Sequence, residues 1–138
     1  MNDEALVDLA LKARTFSYAP YSKFKVGAAL LAKNGKVYTG CNIESASYTP
    51  TNCAERTAFF KAVSEGVTEF VAIAIVGGPE GAKIDICSPC GVCRQVMAEF
   101  CEGDFRIIMA DEANNIQVCN LDTILPYRFG PDNLVHHS

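Results

Sequence analysis

Apolar residues recur at helical spacing along the N-terminal stretch from Asp3 to Ser17. The positions that share one side of a helical wheel are Leu6, Leu9, Ala10, Ala13 and Phe16. Asn2 or Asp3 stands where a capping side chain would accept the first free backbone N–H groups. The pattern predicts an amphipathic helix that packs one face against the rest of the protein.

Two extended runs follow, KVGAALLA and KVYTGCNI, and Lys33-Asn34-Gly35-Lys36 joins them. Asn-Gly between two such runs is the strongest short-range hairpin signal, because the tight turn needs residues that tolerate a positive φ. We therefore expect the sheet to begin with an antiparallel pair of strands.

The rest of the chain alternates helical and extended patterns. Thr51 and Asn52 are candidate caps for a helix written CAERTAFFKAVSEG, which Gly66 should end. EFVAIAIVGG is typical of a central strand covered on both faces, and a second helix begins near Pro89 or Cys90. FRIIMAD then predicts a buried strand, EANN a turn and IQVCNL an edge strand. Since strand-helix-strand units need parallel neighbours, this order predicts an α/β sandwich with a mixed sheet.

Composition narrows the class of protein. The 138 residues are enough for one domain, 1–138, and leave no room for a second. A hydrophobic content of 49% with a mean hydropathy of +0.11 is typical of a globular protein that also buries surface against other subunits. The charged N-terminus resembles neither a signal peptide nor a membrane span, so we expect a cytoplasmic protein without a membrane partner. A net charge of −4 makes polynucleotides poor partners.

Seven cysteines are the main chemical signal. In a reducing compartment, closely spaced cysteines are more typical of metal binding or catalysis than of disulfides. Cys90 and Cys93 form a Cys-x-x-Cys pair at one helix start, and Cys53 begins the preceding helix. Ligand sites gather at one edge of an open α/β sheet, so these helix starts can face one another and favour thiolates. Three thiolates with one open position describe a catalytic zinc site.

The remaining cysteines leave alternatives open. Three of them lie inside apolar runs, where a free cysteine usually acts as a small buried hydrophobe: Cys41, Cys101 and Cys119. Cys87 forms a second Cys-x-x-Cys spacing with Cys90, so it is either a fourth ligand that closes a structural site or a core residue. Pro89 suits a helix start, so it favours Cys90 and Cys93, on the first turn of that helix, as the ligand pair. A thioredoxin-like redox pair is a further alternative, but it gives Cys53 no role.

Glu55 distinguishes a catalytic zinc site from a structural one. Two residues after Cys53, its carboxyl group can reach the fourth position around the metal without binding it, where a general acid/base must stand. Three thiolates also leave an excess of negative charge around Zn²⁺. Arg56 is the candidate that offsets this charge by donating hydrogen bonds to thiolates, and Gln95 is a further candidate donor.

The chain resembles the cytidine deaminase family, in the version in which cysteine replaces the histidine ligand. The segments that carry the resemblance run in family order over nearly the whole chain: YSKFKVGAAL, GCNIESASY, NCAERTA, SPCGVCRQV and LPYRFGP. The resemblance implies a three-layer α-β-α sandwich with a mostly five-stranded sheet. It also implies one Zn²⁺ per subunit on Cys53, Cys90 and Cys93, and hydrolytic deamination of cytidine and deoxycytidine to uridine and deoxyuridine in pyrimidine salvage.

The same resemblance implies roles for individual residues. Glu55 would take a proton from water and pass protons to the pyrimidine N3 and the departing amine. Asn42 and Glu44 would hydrogen-bond the ribose, Phe24 would pack beside the pyrimidine, and Ala54 would contact the base through its backbone.

The resemblance further implies a homotetramer whose active sites are shared between subunits. Phe129 would reach into a neighbouring subunit's site, and Tyr48 would lie at that interface. His136 and His137 lie in a polar tail and receive no role.

Two other functions remain as alternatives. The first is a zinc-binding interaction module with Cys87 as the fourth ligand. The second is a deaminase with another substrate: a blasticidin-type antibiotic, a nucleotide or a polynucleotide. An acidic chain without a basic cluster or a glycine-rich phosphate loop near the site disfavours the last two. The FGP ending resembles cytidine deaminase and not the antibiotic enzyme.

Overall fold

A computed structural model describes residues 1–135, and His136 and His137 lie outside this described part. In chain order the elements are α1 (Asp3–Arg14), β1 (Phe24–Ala32), β2 (Val37–Cys41), α2 (Ala54–Ser64), β3 (Phe70–Pro79), α3 (Gly91–Phe100), β4 (Arg106–Ala110), β5 (Ile116–Asn120), α4 (Leu121–Ile124) and α5 (Asp132–Val135). The predicted order is confirmed through β5. The one-turn helices α4 and α5 are too short to leave a periodic pattern in the sequence.

The five strands form one mixed sheet in the order β2-β1-β3-β4-β5. β1 pairs antiparallel with β2 through the predicted hairpin, in which Gly35 has a φ of 89°. β1 also pairs antiparallel with β3, β3 is parallel to β4, and β4 is antiparallel to β5. The parallel pair is the predicted strand-helix-strand unit, with α3 as its crossover. The sheet is therefore an α/β sheet with β3 at its centre and β5 at one edge, as predicted.

Helices cover both faces of the sheet and make three layers. Leu6, Val7 and Ala10 of α1 pack against one face, on a cluster that includes Ala29 and Ile108. α2 and α3 pack against the opposite face of the sheet. There a second cluster contains the strand residues that alternate with those of the first cluster. No helix in residues 1–135 is both long and apolar enough to span a membrane.

Two helix boundaries differ from those predicted. Asn2 caps α1 as expected, its Oδ1 accepting from the Ala5 N–H at 2.8 Å, but α1 ends at Arg14. Phe16 therefore lies beyond the helix and is 73% exposed, so its assignment to the buried face was wrong. The cap of α2 is Cys53, not Thr51 or Asn52. The chain before α2 is held by a β-bridge between Ile43 and Asn52, which displaces the helix start by one residue.

Two glycines allow the helices to lie directly on the strands. A Cβ at Gly27 would lie 2.0 Å from the Ala10 carbonyl oxygen of α1. A Cβ at Gly40 would lie 2.4 Å from the Ala54 carbonyl oxygen, in the first turn of α2. The first turn of α2 is therefore seated on β2 at backbone contact distance, and this contact places Cys53.

Candidate metal centre and active site

Three sulfur atoms meet where α2 and α3 begin. The Sγ atoms of Cys53 and Cys90 are 3.7 Å apart, and those of Cys90 and Cys93 are 3.4 Å apart. All three lie within 4.8 Å of one another. Sulfurs bound to one tetrahedral Zn²⁺ at about 2.3 Å are about 3.8 Å apart, so these three fit a single zinc ion. We call this group the sulfur cluster.

The local backbone explains why the sulfurs are free to bind a metal. Cys53 and Cys90 are the N-cap residues of α2 and α3, both with extended backbones, and neither side chain caps its own helix. Cys93 lies one turn further along α3 and is buried. Helix N-termini stabilise negative charge, so the two helix starts together favour thiolates at this point.

Thiol protonation in the sulfur cluster is unequal. A hydrogen bond from Cys93, with further donation from Arg56, lowers the pKa of Cys53 to about 5 although burial opposes this. The same bond and burial raise the pKa of Cys93. Cys53 therefore carries the negative charge, and a cation at the cluster would replace the proton that Cys93 holds.

Glu55, the second residue of α2, is the buried charged residue next to the sulfur cluster. It is only 4% exposed. Burial, reinforced by the nearby Cys53 charge, raises the pKa of Glu55 to about 7. A carboxyl group that titrates near neutral pH can both accept and donate a proton under ordinary conditions, which is what a general acid/base requires.

Arg56 lies on the other side of Cys53. Its Nη2 donates to Cys53 Sγ at 3.2 Å. Its Nε is buried and has no hydrogen-bond partner within the described residues. The guanidinium thus places a positive charge against a candidate ligand, and its effect on zinc binding stays a prediction.

A cavity of about 290 Å³ opens beside the sulfur cluster. Its walls bring together Phe24, Asn42, Glu44 and Ala54 with Glu55. Four of the six residues expected to contact substrate therefore share one cavity with the expected acid/base, although they come from separate segments of the chain.

Two polar residues of the cavity wall, Asn42 and Glu44, are held in place mainly by backbone groups. Asn42 Oδ1 accepts from the Val26 N–H at 2.9 Å, and its Nδ2 donates to the Phe24 carbonyl at 2.7 Å. The Glu44 carboxylate accepts from the N–H groups of Tyr21 and Ser22 at 3.0 and 3.1 Å, and from the Ser22 hydroxyl. The Ser22 hydrogen bond leads the effects that lower the pKa of Glu44, so this side chain stays an ionised acceptor.

Tyr48 and Phe129 lie outside the cavity walls of the single chain. Tyr48 has a φ of 65° and is 78% exposed, and Phe129 is 58% exposed. Gln95 Nε2 donates to the Phe129 carbonyl at 2.7 Å, so Gln95 anchors the segment that carries Phe129. Donation from Gln95 to a thiolate stays a prediction.

Cys87 lines the cavity but does not belong to the sulfur cluster found among the described residues. A Cβ at Gly77 would lie 3.1 Å from its Sγ, so it packs against the end of β3. Burial raises the pKa of Cys87 to about 11. Its place outside the sulfur cluster disfavours the alternative of a fourth ligand at Cys87. Cys41, Cys101 and Cys119 are half-buried free thiols outside the cluster.

Known proteins share this arrangement over most of the chain. A family model described as the cytidine and deoxycytidylate deaminase zinc-binding region matches residues 1–109. The chain belongs to this deaminase family. The matched zinc-binding region contains the sulfur cluster, so zinc is the cofactor and the cluster is a group of residues able to hold it.

Individual deaminases match the chain almost from end to end. A cytidine deaminase of Sporosarcina psychrophila is 50% identical over 134 residues, which cover 97% of this chain and 96% of that protein. One from Halalkalibacterium halodurans is 46% identical over 134 residues, covering 97% and 98%. The crystal structure of a cytidine deaminase from Burkholderia pseudomallei superposes with a TM-score of 0.85 at 45% identity, covering 94% of this chain and 100% of that one.

Sequence reasoning missed two residues that support this deaminase site. Thr57 Oγ1 is 3.1 Å from both the Cys53 and the Cys41 carbonyl oxygens, and it accepts from Asn52 Nδ2 at 3.2 Å. A threonine inside a helix often binds the carbonyl four residues back, and this was the available signal. Ser22, which holds Glu44, left no comparable pattern.

Proposed function

We propose that the protein catalyses the zinc-dependent hydrolytic deamination of cytidine and deoxycytidine. Water supplies the oxygen that replaces the amine at C4, giving uridine or deoxyuridine and ammonia, a reaction of pyrimidine salvage. The observation that carries the proposal is a buried carboxyl group, Glu55, between a three-sulfur zinc centre and a cavity. The cavity volume of about 290 Å³ is close to the lower end of the range of small-molecule sites.

Cys53, Cys90 and Cys93 would hold the zinc ion, which would act as a Lewis acid and make water more acidic. Glu55, with its pKa raised to about 7, accepts a proton from the attacking water and donates it to N3 of the pyrimidine. It then moves a second proton, from the hydroxyl group added at C4, to the departing amine, so that ammonia leaves and the C4 carbonyl forms. Arg56 keeps Cys53 ionised by donating to its sulfur throughout.

We assign nucleoside binding to the cavity walls. Glu44 and Asn42 are the residues for the ribose, since Glu44 is an ionised acceptor suited to sugar hydroxyl groups. Phe24, which is 40% exposed in the single chain, lines the cavity and supplies an aromatic surface for the pyrimidine. Ala54 lies between Cys53 and Glu55, where its backbone can hydrogen-bond the base.

We further propose a cytoplasmic homotetramer with shared active sites. Free thiols at all seven cysteines support a reducing compartment. Exposed aromatic side chains support burial against other subunits: Tyr18, Tyr21, Tyr48, Tyr127 and Phe129. In this assembly Phe129 would complete a neighbouring site and Tyr48 would lie at the same interface. Small-molecule nucleosides, and not polynucleotides, are the partners that the negative net charge supports.

The loss of cytidine absorbance with purified protein tests the proposal. We expect turnover that disappears when a chelator removes zinc and returns when Zn²⁺ is added, with metal content measured in the same samples. Glu55→Gln, which has the same shape, should keep its zinc but lose about 10²–10⁴-fold in kcat.

Substrate controls separate this proposal from its alternatives. Deoxycytidine should be deaminated like cytidine, whereas blasticidin S and deoxycytidylate should react far more slowly. A zinc-loaded wild type that leaves cytidine unchanged would reject the proposed function. Faster turnover of blasticidin S or of deoxycytidylate than of cytidine would show that the faster-reacting compound is the substrate.

A further inference from the structure

Arg14, the last residue of α1, binds two strands of the sheet with one guanidinium group. Its Nε donates to the Lys25 carbonyl at 2.8 Å, and its Nη2 donates to the Gly78 carbonyl at 2.9 Å and to the Pro79 carbonyl at 3.4 Å. Lys25 and Gly78 stand directly opposite each other in the β1–β3 register. Arg14 therefore ties the start of β1 to the end of β3.

This is a more specific arrangement than a cation near a helix C-terminus, which the helix dipole favours at any exposed position. Within residues 1–135 no carboxylate forms an ion pair with Arg14. The planar guanidinium fork fixes the direction of each hydrogen bond, so the positions of the acceptor carbonyls are constrained. A Cβ at Gly27 would lie 2.6 Å from the Arg14 backbone N, which shows how closely α1 is seated on β1.

The opposite face of these strands forms a wall of the cavity. Side chains alternate along β1, so Phe24 and Val26 face the cavity while Gly27 faces α1. Asn42 binds the backbone of both Phe24 and Val26, and Ser17 Oγ donates to the Val26 carbonyl at 3.0 Å. The short segment 24–26 is thus held by α1 and its following turn on one side and by Asn42 on the other.

The end of β3 has a comparable relation to the cavity. A Cβ at Gly77, next to the Arg14 acceptor Gly78, would lie 3.1 Å from the Sγ of the cavity-lining Cys87. A shift of either strand end would therefore move a wall of the cavity. Arg14 itself does not line the cavity, so its influence is transmitted through backbone.

We propose that Arg14 is a positioning residue for nucleoside binding, an inference that rests on the function proposed above. By fixing the paired ends of β1 and β3, it holds Phe24 and Asn42 at the spacing the nucleoside requires. The chemistry at Glu55 and the sulfur cluster depends on α2 and α3, and these do not touch Arg14 in the described hydrogen bonds.

Steady-state kinetics of Arg14 variants test this role. Arg14→Ala should raise KM for cytidine by about tenfold while kcat falls by less than about threefold, because ground-state binding is lost and the chemical step is kept. Arg14→Lys should give an intermediate KM, since an ammonium on a flexible chain cannot bind both strand ends as a planar fork does. Zinc content should equal that of the wild type in both variants.

Arg106→Ala is the matched control, because the Arg106–Asp3 ion pair at 2.8 Å ties the opposite end of α1 to the sheet. It should lower thermal stability and leave KM unchanged. The proposal would be overturned by a wild-type KM in Arg14→Lys, or by a KM in Arg106→Ala that is raised as much as in the Arg14 variants. If Arg14→Ala does not fold, the KM of Arg14→Lys decides. An inactive zinc-loaded wild type would instead reject the proposed function, so the two failures are distinguishable.

Discussion

At the scale of single residues, the environment of Glu55 is set by opposing effects. Its place in the first turn of α2 favours the carboxylate, because helix N-termini stabilise negative charge. Near-complete burial and the neighbouring Cys53 charge favour the neutral acid, and burial dominates by raising the pKa to about 7. One side chain can thus serve as base and acid in the same turnover.

Arg56 should govern how firmly the sulfur cluster retains zinc. Arg56→Ala removes the 3.2 Å hydrogen bond to Cys53 Sγ and the positive charge beside it. We expect zinc affinity or turnover to fall by about 10–100-fold, as is usual when a partner of a metal ligand is removed. Competition with a chromogenic chelator measures the affinity. Arg56→Lys keeps the positive charge but loses the planar guanidinium, so its zinc affinity should lie between those of the wild type and Arg56→Ala. Wild-type zinc content and turnover rate in Arg56→Ala would contradict this role.

Cys87 should be dispensable for zinc. It lies outside the sulfur cluster found among the described residues, so Cys87→Ala should bind one zinc per subunit, like the wild type. Cys93→Ala, which removes a member of the cluster, should purify with little zinc. Metal analysis of both proteins makes the comparison. Equal zinc loss in the two variants would mean that Cys87 is a ligand after all.

At the scale of elements, sequence patterns predict the order of helices and strands well but their ends less well. Periodicity reports the buried face of α1, whereas an unbroken apolar run reports β3, which is buried on both faces. The start of α2 depends instead on the bridge between Ile43 and Asn52, a contact distant in sequence that no local cap signal reports. Arg14 was missed for a similar reason, since its partners are backbone carbonyls, which every residue possesses.

The ion pair between α1 and β4 gives stability a pH dependence. Hydrogen bonds from Arg106 to the Asp3 carboxylate, at 2.8 and 3.0 Å, lower the pKa of Asp3 from 3.8 in the folded protein. A lowered folded pKa adds stability above the unfolded value, and this stability is lost as pH falls through the folded pKa.

Asp3→Asn should therefore lower the free energy of unfolding at neutral pH by no more than about 1 kcal/mol, because the pair is partly exposed and screened. The difference from wild type should shrink once the pH falls below the unfolded pKa of about 3.9, and it should vanish below the folded pKa, where the carboxyl is protonated in both states. Urea unfolding at neutral and acid pH measures this. Asp8→Asn, an exposed position on the same helix outside the described ion pairs, is the control and should unfold like the wild type.

At the scale of the whole molecule, the sequence predicted the mixed sheet and the pieces of the site but not how they assemble. The cysteine spacing indicated zinc, whereas the packing of Cys87 against Gly77 is visible only in three dimensions. Phe129 and Tyr48 are exposed and lie outside the cavity in the single chain, so the roles proposed for them depend on the proposed tetramer.

Mixed tetramers test whether active sites are shared. Glu55→Gln and Phe129→Ala subunits should each be impaired alone, because one lacks the acid/base and the other the aromatic group donated to a neighbour. Co-expressed with two different tags, they should regain activity at about a quarter of the sites, those that combine an intact Glu55 with a neighbour's intact Phe129. Activity no higher than the average of the two parents would show that Phe129 acts within its own chain.

The absence of a side chain at Gly40 limits how this enzyme can be engineered for heat resistance. Replacing glycine by alanine is a common stabilising change, because it restricts the unfolded chain. At Gly40 the added methyl group would collide with the backbone of Ala54 and Ala58 and push the reactive end of α2 outward. Gly40→Ala should therefore lower both melting temperature and zinc occupancy, whereas Gly91→Ala, where a Cβ meets nothing within 4 Å, should leave both nearly unchanged.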